Sequence, residues 1–207
     1  EDITIEVKGG ADEKTVIINT ENGYITHKFT GDTATIRIEN PQHWSPENPY
    51  LYNFELISGK DRVQSYFALR TVTIEKVKGH SYICLNGKPY FFHGLLDQGY
   101  FPDGIFTPAD PQEFKNDILS MKECGFNMLR KHIKIEPDIF YYYCDLYGMA
   151  VFQDMVNSGK YSFFIDTALP TIGFKRGVRH RATKQRKYFF EAAARQTVNH
   201  LYNHPSV

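Results

Sequence analysis

The apolar periodicity of this 207-residue chain changes once, near its middle, and that change constrains the fold more than any other feature. Up to about Thr73, apolar and polar residues alternate in short runs, as over residues 3–7 and 33–38. Glycine, asparagine or proline interrupts these runs, for example at Asn22-Gly23 and over residues 41–49. Alternation with period two predicts antiparallel strands with one buried face, and therefore a β-sandwich.

From Tyr82 onward, the pattern predicts apolar strands that alternate with amphipathic helices. The predicted strands cover residues 90–96, 126–130 and 149–152, and an Asn86-Gly87 hairpin turn precedes the first of them. Each of these strands is short, apolar and followed by a helical pattern. Strands of this kind are typical of a sheet that is covered by helices.

Three helices are predicted between and after these strands. Asp110-Pro111 opens the first, Pro137 the second, and the third runs from about Thr183. Gly125 and Gly148 are placed to end the first two. The side chains predicted to face inward are those of Phe114, Ile118, Met121, Ile139, Phe140, Tyr143, Leu146, Phe190, Ala193, Thr197, Val198 and Leu201.

Three strand–helix units in a row predict a parallel sheet with right-handed crossovers. Such a sheet begins a (β/α)8 barrel or an open doubly wound fold; no glycine-rich phosphate loop follows the first strand, which favours the barrel. The predicted chain is multidomain. Residues 1–72 form an immunoglobulin-like β-sandwich, whose strand count of about five or six predicts a missing N-terminal part. Residues 73–207 form a partial TIM barrel with the first three β/α units.

The charge balance excludes several functional classes. Lys+Arg and Asp+Glu both number 24, so no net field attracts nucleic acid or an anionic membrane, and no apolar run is long enough to span a bilayer. The basic stretch over residues 175–187 is interpreted as a solvated face rather than a nucleic-acid site. Three cysteines at wide spacing form neither a disulfide framework nor a zinc pattern.

Polar residues follow all three predicted parallel strands, where the reactive groups of a barrel lie. Asp97 follows the first strand, Arg130 and His132 the second, and Asp154 the third. Arg130 and His132 are two residues apart and point to one face, where they could bind hydroxyl or carboxylate groups. These four are the predicted substrate-binding residues. The alternative is that they merely face water.

Several stretches resemble glycoside hydrolase family 2, and together they cover nearly the whole chain from Asn40. They are NPQHWSPENPYLY (40–52) with Tyr66 to Arg70, LNGKPYFFHGLLDQGY (85–100), GFNMLRKH (125–132) and YNHPSV (202–207). The resemblance implies part of a retaining glycosidase of the beta-galactosidase or beta-glucuronidase type, with a carbohydrate substrate. We expect neither a metal nor a cofactor.

The resemblance also implies where the chemistry is missing. In the family, the acid/base glutamate follows the Asn-His-Pro-Ser motif and the nucleophile lies on the seventh strand, so both would fall after Val207. No catalytic residue is then expected within this chain, which should be inactive alone. The chain departs from the family pattern at Leu96, Lys131 and Ile133-Lys134.

Other interpretations remain open on the sequence. Asp97 and Asp154 could form a carboxylate pair, and His93, His132 and Asp154 could hold a metal in a barrel hydrolase. A carbohydrate-binding or structural module without catalysis is the second functional hypothesis. An unpaired strand edge in a partial barrel further predicts a homo-oligomer.

Overall fold

The computed structural model of the chain describes residues 1–156, 162–173 and 183–207, and antiparallel sheets form its first part. The first six strands are β1 (Asp2–Glu6), β2 (Glu13–Thr20), β3 (Gly23–Thr30), β4 (Thr33–Arg37), β5 (Tyr52–Ser58) and β6 (Asp61–Phe67). One sheet pairs β1 with β4, and the other has the order β3-β2-β5-β6. All neighbours in these two sheets are antiparallel, as the alternation predicts.

A hydrophobic core lies between these two sheets. Val16 and Ile18 of β2 are fully buried, and Ala34 and Ile36 of β4 are nearly so. They are two residues apart on their strands, so each pair points to one face. Burying a valine or isoleucine side chain stabilises the fold by about 1.5–3 kcal/mol. The period-two pattern of the sequence therefore corresponds to the buried face.

A small antiparallel sheet follows, made of β7 (Val72–Val77), β8 (His80–Leu85) and β9 (Lys88–Pro89). Asn86 and Gly87 form the turn between β8 and β9, with φ of 51° and 74°, which confirms the predicted hairpin. The division of the chain at residues 72 and 73 stays a prediction.

The strand predicted over residues 90–96 is correct only for its end, because β10 covers Gly94–Asp97. The side chain of Asn127 explains the difference. Its amide donates to Phe91 O at 3.0 Å, and its Oδ1 accepts from His93 N–H at 2.8 Å. Side-chain bonds from Asn127 thus supplement the backbone bond from Asn127 N–H to His93 O at 2.9 Å, and no local pattern reveals them.

A three-stranded parallel sheet has the order β10-β11-β12, with β11 at Met128–Lys131 and β12 at Ala150–Gln153. Helix α1 (Gln112–Glu123) connects β10 to β11, and α2 (Asp138–Tyr147) connects β11 to β12. After β12 come a π-helical segment at Phe163–Ala168, α3 (Leu169–Thr171) and α4 (Lys184–Leu201). Among the described residues, no helix is long and apolar enough to cross a membrane.

The helix ends follow the predicted signals. Asp110 Oδ1 accepts from Gln112 N–H at 2.9 Å at the start of α1, and Thr183 Oγ1 accepts from Arg186 N–H at 3.3 Å at the start of α4. The predicted inward face of α4 is partly wrong. Thr197 and Leu201 are buried, but Phe190 and Val198 are exposed, so the buried stripe is narrower than predicted and lies in the last turns of α4.

Polar contacts join the antiparallel part to the parallel sheet. The indole N–H of Trp44, the single tryptophan, donates to Asp145 O at 2.8 Å. Arg70 donates through Nε to Pro205 O at 2.5 Å and through Nη2 to Val207 O. Lys122 donates to Pro46 O at 2.8 Å. The two parts therefore share a buried polar interface.

Candidate functional site

Two rows of side chains cross the carboxyl ends of β10, β11 and β12. In the parallel register, Leu96, Arg130 and Phe152 form one row, and Asp97, Lys131 and Gln153 form the next. Because successive strand residues point to opposite faces, the two rows lie on opposite faces of the sheet. Lys131 is buried on the side of α1 and α2, whereas the row containing Arg130 is exposed.

Arg130 and Asp154 form a bidentate ion pair on the exposed face of the sheet. Arg130 Nε and Nη2 each lie 3.0 Å from one carboxylate oxygen of Asp154. This hydrogen-bonded carboxylate raises the pKa of the Arg130 guanidinium. The Arg130 side chain is still 56% exposed, so its remaining N–H groups face the open side of the sheet. Such a fork suits a ligand that offers hydroxyl or carboxylate oxygens.

His132 belongs to the same face as Arg130 by strand alternation, and its backbone N–H donates to Asp97 O at 2.8 Å. Its side chain is half-buried and makes no polar contact with any described residue. The structure thus pairs Arg130 with Asp154, places His132 on the same face by strand alternation, and places Asp97 on the other face. A catalytic pair of Asp97 and Asp154 would need both carboxylates on one side of the sheet, and strand alternation separates them.

Asp97 belongs to a buried charge network that the sequence did not predict. Its Oδ2 lies 2.7 Å from Lys131 Nζ, and Lys131 also contacts Glu136. Lys134 Nζ lies 2.9 Å from the second Glu136 oxygen. Lys131 is 1% exposed and the Glu136 side chain is fully buried. Two ammonium groups thus balance two carboxylates, which offsets the cost of burying them.

The sequence contained a weak signal for this network. Lys131 stands two residues after Leu129 on a strand and therefore faces the core, where a lone lysine is not stable. A buried acidic partner could have been expected on that ground. Which carboxylates it would meet depends on two loops, so the pairing with Asp97 and Glu136 could not be inferred.

The same network fixes the loops that surround the sheet end. Lys134 Nζ donates to Gly99 O at 2.9 Å and to Phe106 O, both in the loop between β10 and α1. Gln153 Nε2 donates to Lys134 O at 3.0 Å, and its Oε1 accepts from the Tyr141 hydroxyl at 2.7 Å. Burial raises the pKa of Tyr141 above its usual range, so it remains a neutral donor.

A second polar cluster surrounds the fully buried carboxylate of Asp145 on α2. Its oxygens accept from the Tyr66 hydroxyl at 2.7 Å and from Ser206 N–H at 2.9 Å, and His204 Nδ1 lies at 2.6 Å. Burial and the neighbouring Asp145 raise the pKa of Tyr66 above its usual range. The cluster joins two stretches that carry the family resemblance, residues 66–70 and 202–207.

The residues of the metal hypothesis do not come together. The His93 ring contacts the rings of Phe91 and Phe126, with centroids 6.0 and 4.8 Å away. Within residues 1–156, 162–173 and 183–207, no three His, Cys, Asp or Glu side chains are placed to hold a metal ion. Of the basic stretch, residues 175–182 lie outside the described residues, while Lys184 is on α4.

A family model, curated relatives and solved structures match parts or all of the chain. The family model for Glycosyl hydrolases family 2 matches residues 1–70. The chain is similar to a beta-galactosidase of Lactococcus lactis subsp. lactis (strain IL1403), with 31% identity over 131 residues, which are 60% of this chain and 12% of that protein. The chain thus spans a small share of the curated relatives that it matches.

Solved structures share the fold over the whole chain. The apo structure of Bacteroides uniformis beta-glucuronidase 3 covers 100% of this chain and 24% of its own, with a TM-score of 0.76 and 21% identity. The beta-D-glucuronidase structure for Dictyoglomus thermophilum also covers 100% of this chain and 36% of its own, with a TM-score of 0.76 and 22% identity. At these identities the likeness concerns the fold alone.

Proposed function

The chain is a glycoside hydrolase family 2-like protein, and on that premise we propose that it is part of a retaining glycosidase that cleaves O-glycosidic bonds. The proposed substrate is a carbohydrate, of the beta-galactoside or beta-glucuronide type that the names of its relatives indicate. In this proposal the antiparallel part is an immunoglobulin-like sandwich. The parallel sheet supplies the first three β/α units of a (β/α)8 barrel.

The observation that carries the proposal is the open face at the carboxyl ends of β10, β11 and β12. Active sites of barrels lie at this end of the sheet. Arg130, held by Asp154, directs its free N–H groups there, and His132 lies beside it. We assign the binding of sugar hydroxyls to these three residues. Asp97 is not assigned a direct contact with the sugar, because its carboxylate is paired with the Lys131 ammonium group.

No hydrolysis is proposed for the 207 residues alone. A retaining mechanism needs two carboxyl groups about 5–5.5 Å apart, one as proton donor and one as nucleophile. The carboxylates at the sheet end are engaged in ion pairs, Asp97 with Lys131 and Asp154 with Arg130. By resemblance, the acid/base and nucleophile glutamates are other residues, which this chain does not contain.

Ligand titration tests the assigned binding residues. Methyl β-galactopyranoside and methyl β-glucuronide are titrated into the chain, and binding is followed by NMR. Arg130→Gln should weaken binding about tenfold, since a hydrogen bond from a charged group contributes about 1.5–3 kcal/mol. Arg62→Gln is the matched control, because Arg62 forms an exposed ion pair with Glu55 at 3.1 Å on the antiparallel sheet. Equal affinity of the two variants for the glycosides would show that Arg130 does not bind the sugar.

The second functional hypothesis, a carbohydrate-binding module without catalysis, is favoured by the ion-paired state of both aspartates. Two measurements discriminate it. Incubation with nitrophenyl glycosides should give no turnover by the chain; turnover that Asp97→Asn or Asp154→Asn abolishes would show that these are the catalytic groups. The coding sequence after Val207 decides the rest: an Asn-Glu pair a few residues on supports the hydrolase, and its absence supports the module.

A further inference from the structure

The loop between β10 and α1 exposes aromatic rings although its backbone is tightly held. Tyr100 is 63% exposed and Phe106 is 58% exposed. Their ring centroids lie 5.5 Å apart with an interplanar angle of 42°, so the two rings form a tilted pair. Aromatic rings of this size usually bury their faces, and an exposed pair in a rigid loop therefore suggests a ligand.

Three sets of contacts hold this loop. Phe101 and Ile105 exchange two backbone hydrogen bonds of 3.0 and 2.9 Å, which close a tight turn. The Phe101 ring packs edge-on against Phe114 of the core, with centroids 5.3 Å apart. Lys134 Nζ donates to the carbonyl groups of Gly99 and Phe106. The rings of Tyr100 and Phe106 thus sit on a fixed backbone.

Gly99 shows how closely the loop approaches the charge network. Its φ is 67°, and a Cβ at this position would lie 2.7 Å from Lys131 Nζ and 2.8 Å from Lys134 Nζ. No other residue fits there without displacing both ammonium groups. The position of the loop is therefore coupled to the network at the sheet end.

Two β-branched residues beside the network have a backbone conformation that such residues rarely adopt. Ile105 has φ of 64° and Ile133 has φ of 65°. Ile105 precedes Phe106 at the tip of the loop, and Ile133 precedes Lys134. Strain of this kind persists only where surrounding contacts impose it, and it concentrates at ligand-binding positions.

From these observations we propose that Tyr100 and Phe106 form a platform that stacks against the apolar C–H face of a pyranose ring. The proposal rests on the proposed function, because it names a further part of the same carbohydrate site. The loop leaves the carboxyl end of β10, which is the end of the sheet where Arg130 and Asp154 pair. A pyranoside offers hydroxyl groups to a guanidinium and a C–H face to aromatic rings.

The side chains can be tested without disturbing the loop backbone. Tyr100→Ala and Phe106→Ala remove the rings. The hydrogen bonds from Lys134 remain, because their acceptors are main-chain carbonyl groups. Tyr100→Phe keeps the ring and loses only the hydroxyl. Tyr24→Ala is the matched control, because Tyr24 is 76% exposed on β3. Near-ultraviolet circular dichroism of the buried Trp44 verifies that each variant is folded.

Saturation-transfer NMR with methyl β-galactopyranoside and methyl β-glucuronide is the measurement. Transfer to the C–H protons of one sugar face is expected in the unsubstituted chain. The Tyr100→Ala/Phe106→Ala double variant should bind about tenfold more weakly, while Tyr100→Phe and Tyr24→Ala should bind as the unsubstituted chain does. Nitrophenol alone, tested in parallel, should bind more weakly than the glycosides, because the platform is assigned to the sugar.

The outcomes separate this proposal from the proposed function. Unchanged binding by the double variant, together with loss of binding in Arg130→Gln, would overturn the platform and leave the carbohydrate site. A failure of the unsubstituted chain to bind either glycoside would overturn both. Tighter binding of nitrophenol than of the glycosides, or a change of oligomeric state in the double variant, would assign the rings to another contact and overturn the platform.

Discussion

At the scale of single residues, Lys131 shows how a charged side chain can occupy a core position. Its ammonium group is 1% exposed and lies between the carboxylates of Asp97 and Glu136. An isolated buried ammonium is strongly unfavourable, because it loses its hydration. The two carboxylates offset that loss, and each of them depends on the lysine in turn. Removing Lys131 therefore leaves Asp97 without its counterion and Glu136 with Lys134 alone.

Lys131→Met is expected to destabilise the chain strongly for this reason. Breaking a buried ion pair costs about 3–5 kcal/mol, since the remaining charges keep their desolvation penalty. Urea unfolding at neutral pH measures the loss. Lys60→Met is the control, because Lys60 is exposed in the turn before β6 and its replacement should change stability by about 0.5 kcal/mol or less. A comparable small change for both variants would contradict the buried network.

At the scale of elements, α1 and α2 end in the same way but in different surroundings. Gly125 follows α1 with φ of 86°, and Gly148 follows α2 with φ of 72°. Both have the left-handed conformation that glycine adopts without strain. A Cβ on Gly125 would meet open space, whereas a Cβ on Gly148 would lie 2.5 Å from Pro46 O. The end of α2 is thus also a contact with the loop before β5.

This difference predicts unequal effects of alanine at the two positions. Gly125→Ala should cost about 1–2 kcal/mol, the penalty of the left-handed conformation alone. Gly148→Ala should cost about 1–3 kcal/mol more, because the added methyl group displaces the Pro46 backbone. Thermal and urea unfolding of both variants give the comparison. Equal costs would mean that α2 does not pack closely on residue 46.

At the scale of the whole molecule, buried polar groups join the antiparallel part to the parallel sheet. Tyr66 on β6 donates to Asp145 on α2, and Arg70 donates to Pro205 O near the C-terminal end. Trp44 donates to Asp145 O. Hydrogen bonds in a dry interface are costly to leave unmade, so the two parts should unfold together rather than separately.

The raised pKa of Tyr66 makes the stability of this interface depend on alkaline pH. Below about pH 10 the phenol is neutral in both states, and its contribution is fully present. As the pH rises above that value, the unfolded chain releases the proton while the folded chain retains it, so stability falls. Tyr66→Phe should reduce the pH dependence of the free energy of unfolding above about pH 10, by up to the equivalent of about one proton. Urea unfolding between neutral and alkaline pH measures it, with Tyr24→Phe on the exposed surface of β3 as the matched control.

The open sheet predicts association of the chain with itself. β10 and β12 form the two edges of the parallel sheet among the described residues, and Leu96 and Phe152 on its open face are exposed. Unpaired edges and apolar faces favour pairing with a second copy. Light scattering over a concentration series should show oligomers, and Leu96→Lys with Phe152→Lys should reduce them. Val63→Lys on β6 is the exposed control. A monomer at all concentrations would contradict this prediction.

Local patterns in the sequence determined the elements of this protein and their order. Alternating residues predicted the antiparallel strands, since burial of one face imposes period two. Asp110, Gly125 and Gly148 marked helix ends, because capping and left-handed backbone strongly favour particular residue types. The polar residues after the strands marked one end of the parallel sheet. The motifs from Asn40 onward indicated the family.

Only the tertiary structure decided how the charged and aromatic side chains combine. Strand alternation could place Arg130 and His132 on one face, but the partners of Lys131 come from loops distant in sequence. Asn127 bonds to residues 91 and 93, and β10 begins only after them, at Gly94. The exposed pair Tyr100 and Phe106 likewise depends on Lys134, 34 and 28 residues away along the chain. Such contacts follow from the packing of separate elements, and the free energy of packing is not encoded in any one segment.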